Sequence, residues 1–227
     1  MEAVGPGAGP PGGPPPWHAR VIRVARLSES ACEIELARPP GFRFEAGQHI
    51  RLFNGDDGRD YSLSSPPSAG TMQLLVRHIA GGAVSPALVG AAPGADLGFS
   101  GPHGVFQLRP SARPVVLVAT GVGVAPFLSM VRAGAPRVTL LHGVRAADEL
   151  FYRREIERAV ARYVPCLSRQ SSPGCFSGRV TGWAAAELPR ATEMDFYLCG
   201  DRRMVRDMTL LVDERIPGSR VYTEIFF

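Results

Sequence analysis

The chain has 227 residues, 45% of them hydrophobic, with 25 basic and 21 acidic side chains and a net charge of +4. That length suits two domains of about 100 residues, each with a buried core; no apolar run approaches the ~18 residues that cross a bilayer, which argues against a membrane-spanning helix, and the basic residues, all arginine, are scattered among carboxylates without the block expected of a nucleic-acid binder. Cys32, Cys166, Cys175 and Cys199 form no CxxC or CxH pair and the N-terminus shows no secretory leader, so no metal site is expected and free thiols in the cytoplasm are.

Residues 1–16, MEAVGPGAGPPGGPPP, carry too little apolar surface to offset the entropy of ordering and are expected to form a disordered tail. From Trp17 the pattern changes to HARVIRVARL, ACEIELARP, GQHIRLFNG, RDYSLSS, TMQLLVRHI and ADLGFSGPHGVFQL, separated by turn-rich segments. Short strands at that spacing predict a small antiparallel β-barrel over residues 17–110, with SPALVGA as its helix. Over residues 111–227 strands alternate with helices, which predicts an α/β domain with a parallel sheet. Val115 to Ala119 lacks polar alternation, as a strand buried on both faces does. RVTLLHGV is the next strand, and a helix is expected from Asp148-Glu149 to about Tyr163. VPCLSRQ and DFYLCG are further strands; Asp201 opens a helix with Met204, Met208 and Leu211 on one face, and RVYTEIFF closes the chain as an alternating strand.

Three stretches have the make-up of nucleotide-binding elements. Thr120-Gly121-Val122-Gly123 turns from a buried strand into a helix carrying Pro126 in its first turn, where main-chain N–H groups and the helix dipole favour an anion such as a pyrophosphate. The same kind of turn serves plain packing equally often. Gly81-Gly82-Ala83-Val84-Ser85 is a second glycine turn entering a helix, with a hydroxyl at the helix start. Arg59-Asp60-Tyr61-Ser62 lies on a strand, so Arg59 and Tyr61 share one face, able to hold a phosphate and cover an aromatic ring, and Asp60 and Ser62 share the other. Two phosphate seats in two domains suggest two nucleotide cofactors. His49, His78, His103 and His142 have no triad or metal spacing and read as structural.

The order RxYS, GGxxS, GPxGxF, TGxGxAP, YxCG and a C-terminal ExF strand resembles the ferredoxin–NADP reductase family of flavoprotein reductases over residues 17–227. The resemblance implies a flavin-binding barrel followed by an NADP(H)-binding α/β domain. It implies that Arg59, Tyr61 and Ser62 bind FAD, with Tyr61 against the isoalloxazine and Ser62 near its reactive N5. Arg77, His78 and Ile79 with Gly82, Val84 and Ser85 would border the flavin and its phosphates. Thr120, Gly121 and Gly123 would hold the nicotinamide nucleotide, Cys199 and Gly200 would flank the nicotinamide, and Glu224 and Phe226 would match the family's terminal acidic and aromatic pair. Ser62, Cys199 and Glu224 are thus the candidate catalytic residues. Ala83 stands where many members carry a basic residue, and Phe226, followed by Phe227, stands where plant members stack a tyrosine.

Three arginines at the ends of second-domain elements, Arg145 after LLHGV, Arg169 after VPCLS and Arg179 in the Gly-Arg-Val turn, suit the 2′-phosphate of NADPH. Bacterial members place arginines at matching points, and Ser168-Arg169 resembles the serine–arginine pair of plant members. The expected activity is hydride transfer between NADPH and FAD, with single electrons exchanged with a small acidic carrier protein, a ferredoxin or flavodoxin. The alternatives are a reductase component of an oxygenase system, a free-flavin or diaphorase-type reductase, and a non-catalytic electron-transfer subunit of a complex. No C-terminal cysteine cluster for an iron–sulfur centre precedes Phe227, which favours a stand-alone reductase.

Overall fold

The computed structural model describes residues 15–135, 137–189 and 191–225. Residues 1–14 of the expected tail, and both Phe226 and Phe227, lie outside the described residues. The chain divides into two compact units, one running up to Gln107 and including Leu128–Ala133, the other comprising Leu108–Phe127 and the chain from Gly134 onward.

The first unit is a six-stranded antiparallel sheet of β1 (Trp17–Arg26), β2 (Ala31–Ala37), β3 (His49–Asn54), β4 (Asp57–Ser62), β5 (Thr71–Arg77) and β6 (Asp96–His103), in the order β4-β3-β6-β1-β2-β5. A bridge between Leu63 and Leu74, extended by a 2.8 Å bond from Ser64 N–H to the Gln73 carbonyl, joins the end of β4 to β5 and closes the sheet. Closure satisfies the backbone groups that two open edges would leave unpaired. Alternation sends Ile34, Leu36, Ile50, Leu52, Leu74 and Phe99 into one core, where each contributes roughly 1.5–3 kcal/mol of burial. The short helix α1 (Ser85–Val89) follows the Gly81-Gly82 turn, as SPALVGA predicts.

The second unit holds β7 (Val115–Thr120), β8 (Val138–Val144), β9 (Arg162–Leu167), the short β10 (Phe176–Ser177), β11 (Asp195–Gly200) and β12 (Arg220–Ile225), all parallel, in the order β10-β9-β8-β7-β11-β12. The chain winds outward from β7 to β10, then returns to lay β11 on the other side of β7. That reversal places a topological switch point between β7 and β11, where open α/β sheets bind ligands beyond the carboxyl ends of their strands. Helices α2 (Ala125–Arg132), α3 (Arg153–Ala159), α4 (Val180–Glu187) and α5 (Arg202–Arg215) connect the strands. From α4 and α5, Val180, Trp183, Met204 and Met208 pack on the sheet face formed by Val116, Val118, Leu141 and Phe196.

One expectation is corrected. The helix expected from Asp148 to about Tyr163 is a 3-10 turn at Ala147–Glu149 and a helix of only seven residues, Arg153–Ala159, with Tyr152 at a left-handed φ of 58° between them. Arg162 and Tyr163 belong to β9 because RYVPCL pairs residue by residue with β8, from Thr139 opposite Arg162 to Val144 opposite Leu167, and this tertiary pairing overrides local helical preference. Among the described residues no helix is long and apolar enough to cross a membrane.

Candidate functional site

The switch point of the second unit brings two glycine turns into contact. β7 ends in Thr120 and enters a 3-10 turn, Gly121–Val124, before α2; β11 ends in Cys199-Gly200 and enters α5 through Asp201. A side chain on Gly123 would bring its Cβ to 2.6 Å from the Cys199 carbonyl oxygen and 2.9 Å from the Gly200 Cα, so the two turns touch backbone to backbone. Gly200 is held at φ +131°, where a side chain would also run into the hydroxyl and carbonyl of Thr120. A hydrogen bond of 2.8 Å from Asp201 N–H to Thr120 Oγ1 fastens the pair, and the Asp201 carboxylate caps α5 by accepting from the N–H groups of Arg203 and Met204.

The register carries the candidate residues along one row. Ala119 in β7 lies opposite His142 in β8 on one side and Cys199 in β11 on the other, and Cys199 lies opposite Glu224 in β12. The Cys199 side chain is fully buried, and burial, helped by the Glu224 carboxylate, pushes its thiol well above the ordinary cysteine range. It therefore stays a neutral thiol, and its contribution is shape with a weak donor. On the same row, His142 is also buried, with Nε2 at 3.0 Å from the Gly121 carbonyl and Nδ1 at 3.1 Å from the Tyr163 hydroxyl. Burial lowers its pKa to about 4, so it is neutral at physiological pH.

Arg145 and Arg169 continue the β8–β9 ladder past the ends of the strands: Ser168 N–H bonds to the Val144 carbonyl at 3.0 Å, Ser168 Oγ donates to the same carbonyl at 3.2 Å, and Arg169 N–H bonds to the Arg145 carbonyl at 3.1 Å. The Glu149 carboxylate accepts from Arg145 N–H at 2.9 Å and fixes the bend after β8. Arg179 is the residue before α4, and its carbonyl accepts from Gly182 and Trp183. All three arginine side chains are exposed, and among the described residues none of their guanidinium groups makes a hydrogen bond or ion pair. Backbones are held and cationic ends are open, a combination that fits a phosphate.

In the first unit Arg59 and Tyr61 share a face of β4, opposite Leu52 and Ile50 of β3. The Arg59 guanidinium is exposed and, among the described residues, donates only to the neighbouring Gly58 carbonyl, at 2.8 Å. Tyr61 is half-buried against the barrel core, and burial pushes its hydroxyl up to about 12. Ser62, buried, lies opposite His49, which lies opposite His103, so these three form a row across β4, β3 and β6. Ile79 is 52% exposed beside exposed Arg77 and His78. The Ser85 hydroxyl accepts from Ile79 N–H at 3.1 Å and shapes the turn that carries Gly81 and Gly82. Asn54 fastens the same turn by donating to the Ala83 carbonyl at 2.8 Å. An exposed isoleucine, a half-buried tyrosine and an open guanidinium suit a flat aromatic ring with a phosphate tail. Sequence reading found Asp201 as a helix start but missed its bond to Thr120, and it missed Asn54 and the His142–Tyr163 pair, since each of these contacts is to a partner distant in the chain.

Residues 19–108 match the family described as the oxidoreductase FAD-binding domain, and residues 117–209 match the oxidoreductase NAD-binding domain. The chain is 38% identical to ferredoxin–NADP reductase B of Sorangium cellulosum over 92% of its own length and 97% of the relative's. It is 32% identical to the electron transfer component of toluate 1,2-dioxygenase from Pseudomonas putida, covering 92% of this chain and 67% of that one. Among solved structures, an Amycolatopsis cytochrome P450 reductase superposes with a TM-score of 0.81 at 28% identity, over 92% of this chain and 68% of that one. A ferredoxin–NADP reductase from Neisseria gonorrhoeae with bound FAD and NADP shares the fold, with a TM-score of 0.80 at 24% identity over 93% and 98% of the two chains.

Proposed function

Since the chain belongs to the ferredoxin–NADP reductase family, we propose that it takes hydride from NADPH in preference to NADH and delivers electrons singly to a small acidic carrier, a ferredoxin or flavodoxin. The protein is a flavin oxidoreductase that moves electrons between NAD(P)H, flavin and a carrier. FAD, when bound, supplies the conversion between a two-electron hydride and single electrons. The chain's own residues bind, orient and shield.

The observation that carries the nucleotide assignment is the backbone contact of Gly123 with Cys199 and Gly200 at the switch point, which leaves no room for a Cβ and keeps both turns main-chain only. Thr120, Gly121 and Gly123 hold the pyrophosphate through main-chain N–H groups, and Cys199 and Gly200 form a wall with no room for bulk beside the nicotinamide. Glu224, in register with Cys199, sets the charge there. Arg145, Arg169 and Arg179, with Ser168, clamp the 2′-phosphate, where an open guanidinium offers paired donors to the phosphate oxygens. In the first unit Arg59 and the backbone of the Gly82–Ser85 turn take the FAD phosphates, with Val84 behind them. Tyr61 covers the isoalloxazine, the stretch Arg77–Ile79 borders it, and Ser62 presents its hydroxyl toward N5. Phe226 and Phe227 would supply the terminal ring. Cys199 and His142 are both uncharged, and hydride transfer requires no ionised nucleophile from either.

A second reading, a reductase component of an oxygenase, draws support from the toluate dioxygenase relative and differs in the protein that receives the electrons. The test is to release the flavin from the purified protein for mass spectrometry and to add NADPH anaerobically. The mass of FAD and bleaching of its visible absorbance are expected. Absence of flavin, or a flavin that NADPH leaves oxidised, would overturn the assignment.

A further inference from the structure

We propose that His142 is a positioning residue for the nucleotide turn, held by Tyr163 so that it donates to the Gly121 carbonyl and thereby aims the Val122 N–H outward. The inference rests on the reading that Thr120–Gly123 seats the nicotinamide nucleotide. The Gly121 carbonyl can only accept, so the 3.0 Å contact requires the proton of the imidazole on Nε2. A neutral ring then has a bare Nδ1, and the Tyr163 hydroxyl at 3.1 Å must donate to it. One tautomer satisfies both contacts, and the other would set two lone pairs face to face. The groups acting on this pair are few: Gly121 and Glu149 act on His142, while Arg153, Glu157, Cys175 and Cys166 surround Tyr163.

The consequence for the turn follows from peptide geometry. In a trans peptide the carbonyl of one residue and the N–H of the next point in opposite directions. Gly121, at φ +54°, opens the 3-10 turn Gly121–Val124 and has open space where a Cβ would sit, so the following peptide plane is set by the turn and by the imidazole bonded to its carbonyl rather than by side-chain packing. Anchoring the Gly121 carbonyl on a buried imidazole of β8 turns the Val122 N–H away from the sheet. His142 lies in the same row as Ala119 and Cys199, so the device sits directly beneath the turn it sets. Burial alone requires both ring nitrogens to find partners; what ties this ring to the ligand seat is that one partner is the carbonyl of the glycine turn.

The test measures NADP+ affinity by calorimetry on the FAD-loaded protein, with melting temperature and the KM and kcat for NADPH alongside. His142→Phe should raise the NADP+ dissociation constant about five- to tenfold, the loss of roughly one net hydrogen bond, with kcat at saturating NADPH within about twofold of wild type. His142→Gln keeps a donor for Gly121 and should bind within about twofold of wild type. Tyr163→Phe frees the tautomer and should weaken binding about threefold. In 15N spectra of the nucleotide-free protein, His142 should show a protonated Nε2 and a bare Nδ1, an expectation that stands even where a variant folds poorly. Unchanged NADP+ affinity in the Phe variant, or a Gln variant that fails as badly as Phe, overturns the inference. A wild-type protein with no measurable NADP+ affinity overturns the reading of the turn, and the inference with it.

Discussion

At the switch point Gly123 and Gly200 meet the backbone of the neighbouring turn with no room for a Cβ, whereas Arg145, one strand outward, and Arg169, two strands outward, extend into solvent from the same carboxyl edge. The first region is made of main chain, a threonine–aspartate bond and a buried histidine; the second is made of side chains on a backbone that is itself tied down. Features common to every nicotinamide nucleotide can be gripped by backbone, because they never need to change. On the proposed reading, the feature that separates NADPH from NADH falls to side chains, which can be exchanged one at a time without disturbing the sheet. Damage to the first region should therefore be global, and damage to the second selective.

The harshest way to break that contrast is Gly123→Ala. Its Cβ would lie 2.6 Å from the Cys199 carbonyl oxygen, and forcing the turns apart should cost about 1–3 kcal/mol of stability. Equal losses of at least about a hundredfold in kcat/KM are expected for NADPH and NADH, more than 2.7 kcal/mol of transition-state binding, with FAD content unchanged. Normal turnover in this variant would show that the cradle is slack.

Acid strikes the same region through His142. Its folded pKa of about 4 lies below the ordinary value of 6.5, so the unfolded chain binds the proton more readily. The stability that a neutral His142 preserves is whole above pH 6.5 and is lost progressively as pH falls toward 4, by about 3 kcal/mol. Chemical denaturation from pH 7 to 4 should show that loss in wild type and a shallower one in His142→Phe. Equal slopes would mean that other groups carry the acid sensitivity.

The arginine fringe should respond to a single change. Arg169→Ala is expected to raise the KM for NADPH about 10- to 100-fold, the loss of one charged hydrogen bond, and to leave NADH nearly untouched. The mildest prediction sharpens the boundary between the regions. Glu224→Gln should slow hydride transfer by about tenfold, ~1.4 kcal/mol of barrier, with the melting temperature nearly unchanged. A large drop in melting temperature with normal turnover would make Glu224 a structural residue.

What could be read in the sequence, and what could not, divides along related lines. Val115 to Ala119 announces a doubly buried strand because no polar residue interrupts it, and TGVG and CG are local enough to mark both turns. Alternation in RVYTEI places Glu224 on β12. His142 gave no signal, because its partners lie 21 residues away on either side, at Gly121 and Tyr163, and only strand register brings them together. Tyr163 itself was assigned to a helix for the same reason: the preference of β9 for β8 is written in pairing, not in local composition. Ser85 was correctly set at the start of α1, yet its hydroxyl turns back to Ile79, a choice made by loop geometry. Strands, turns and exposed cations are local properties of a chain, whereas hydrogen-bond partners across a sheet are not.

The most direct test of the account compares kcat/KM for NADPH and NADH in the wild-type protein and in one carrying Arg145→Ala, Arg169→Ala and Arg179→Ala together. Wild type should prefer NADPH by about a hundredfold or more, and the triple variant should fall to near parity by losing NADPH efficiency alone, as removal of charged hydrogen bonds to one phosphate predicts. A wild type that prefers NADH, or a triple variant that loses both nucleotides equally, would contradict it.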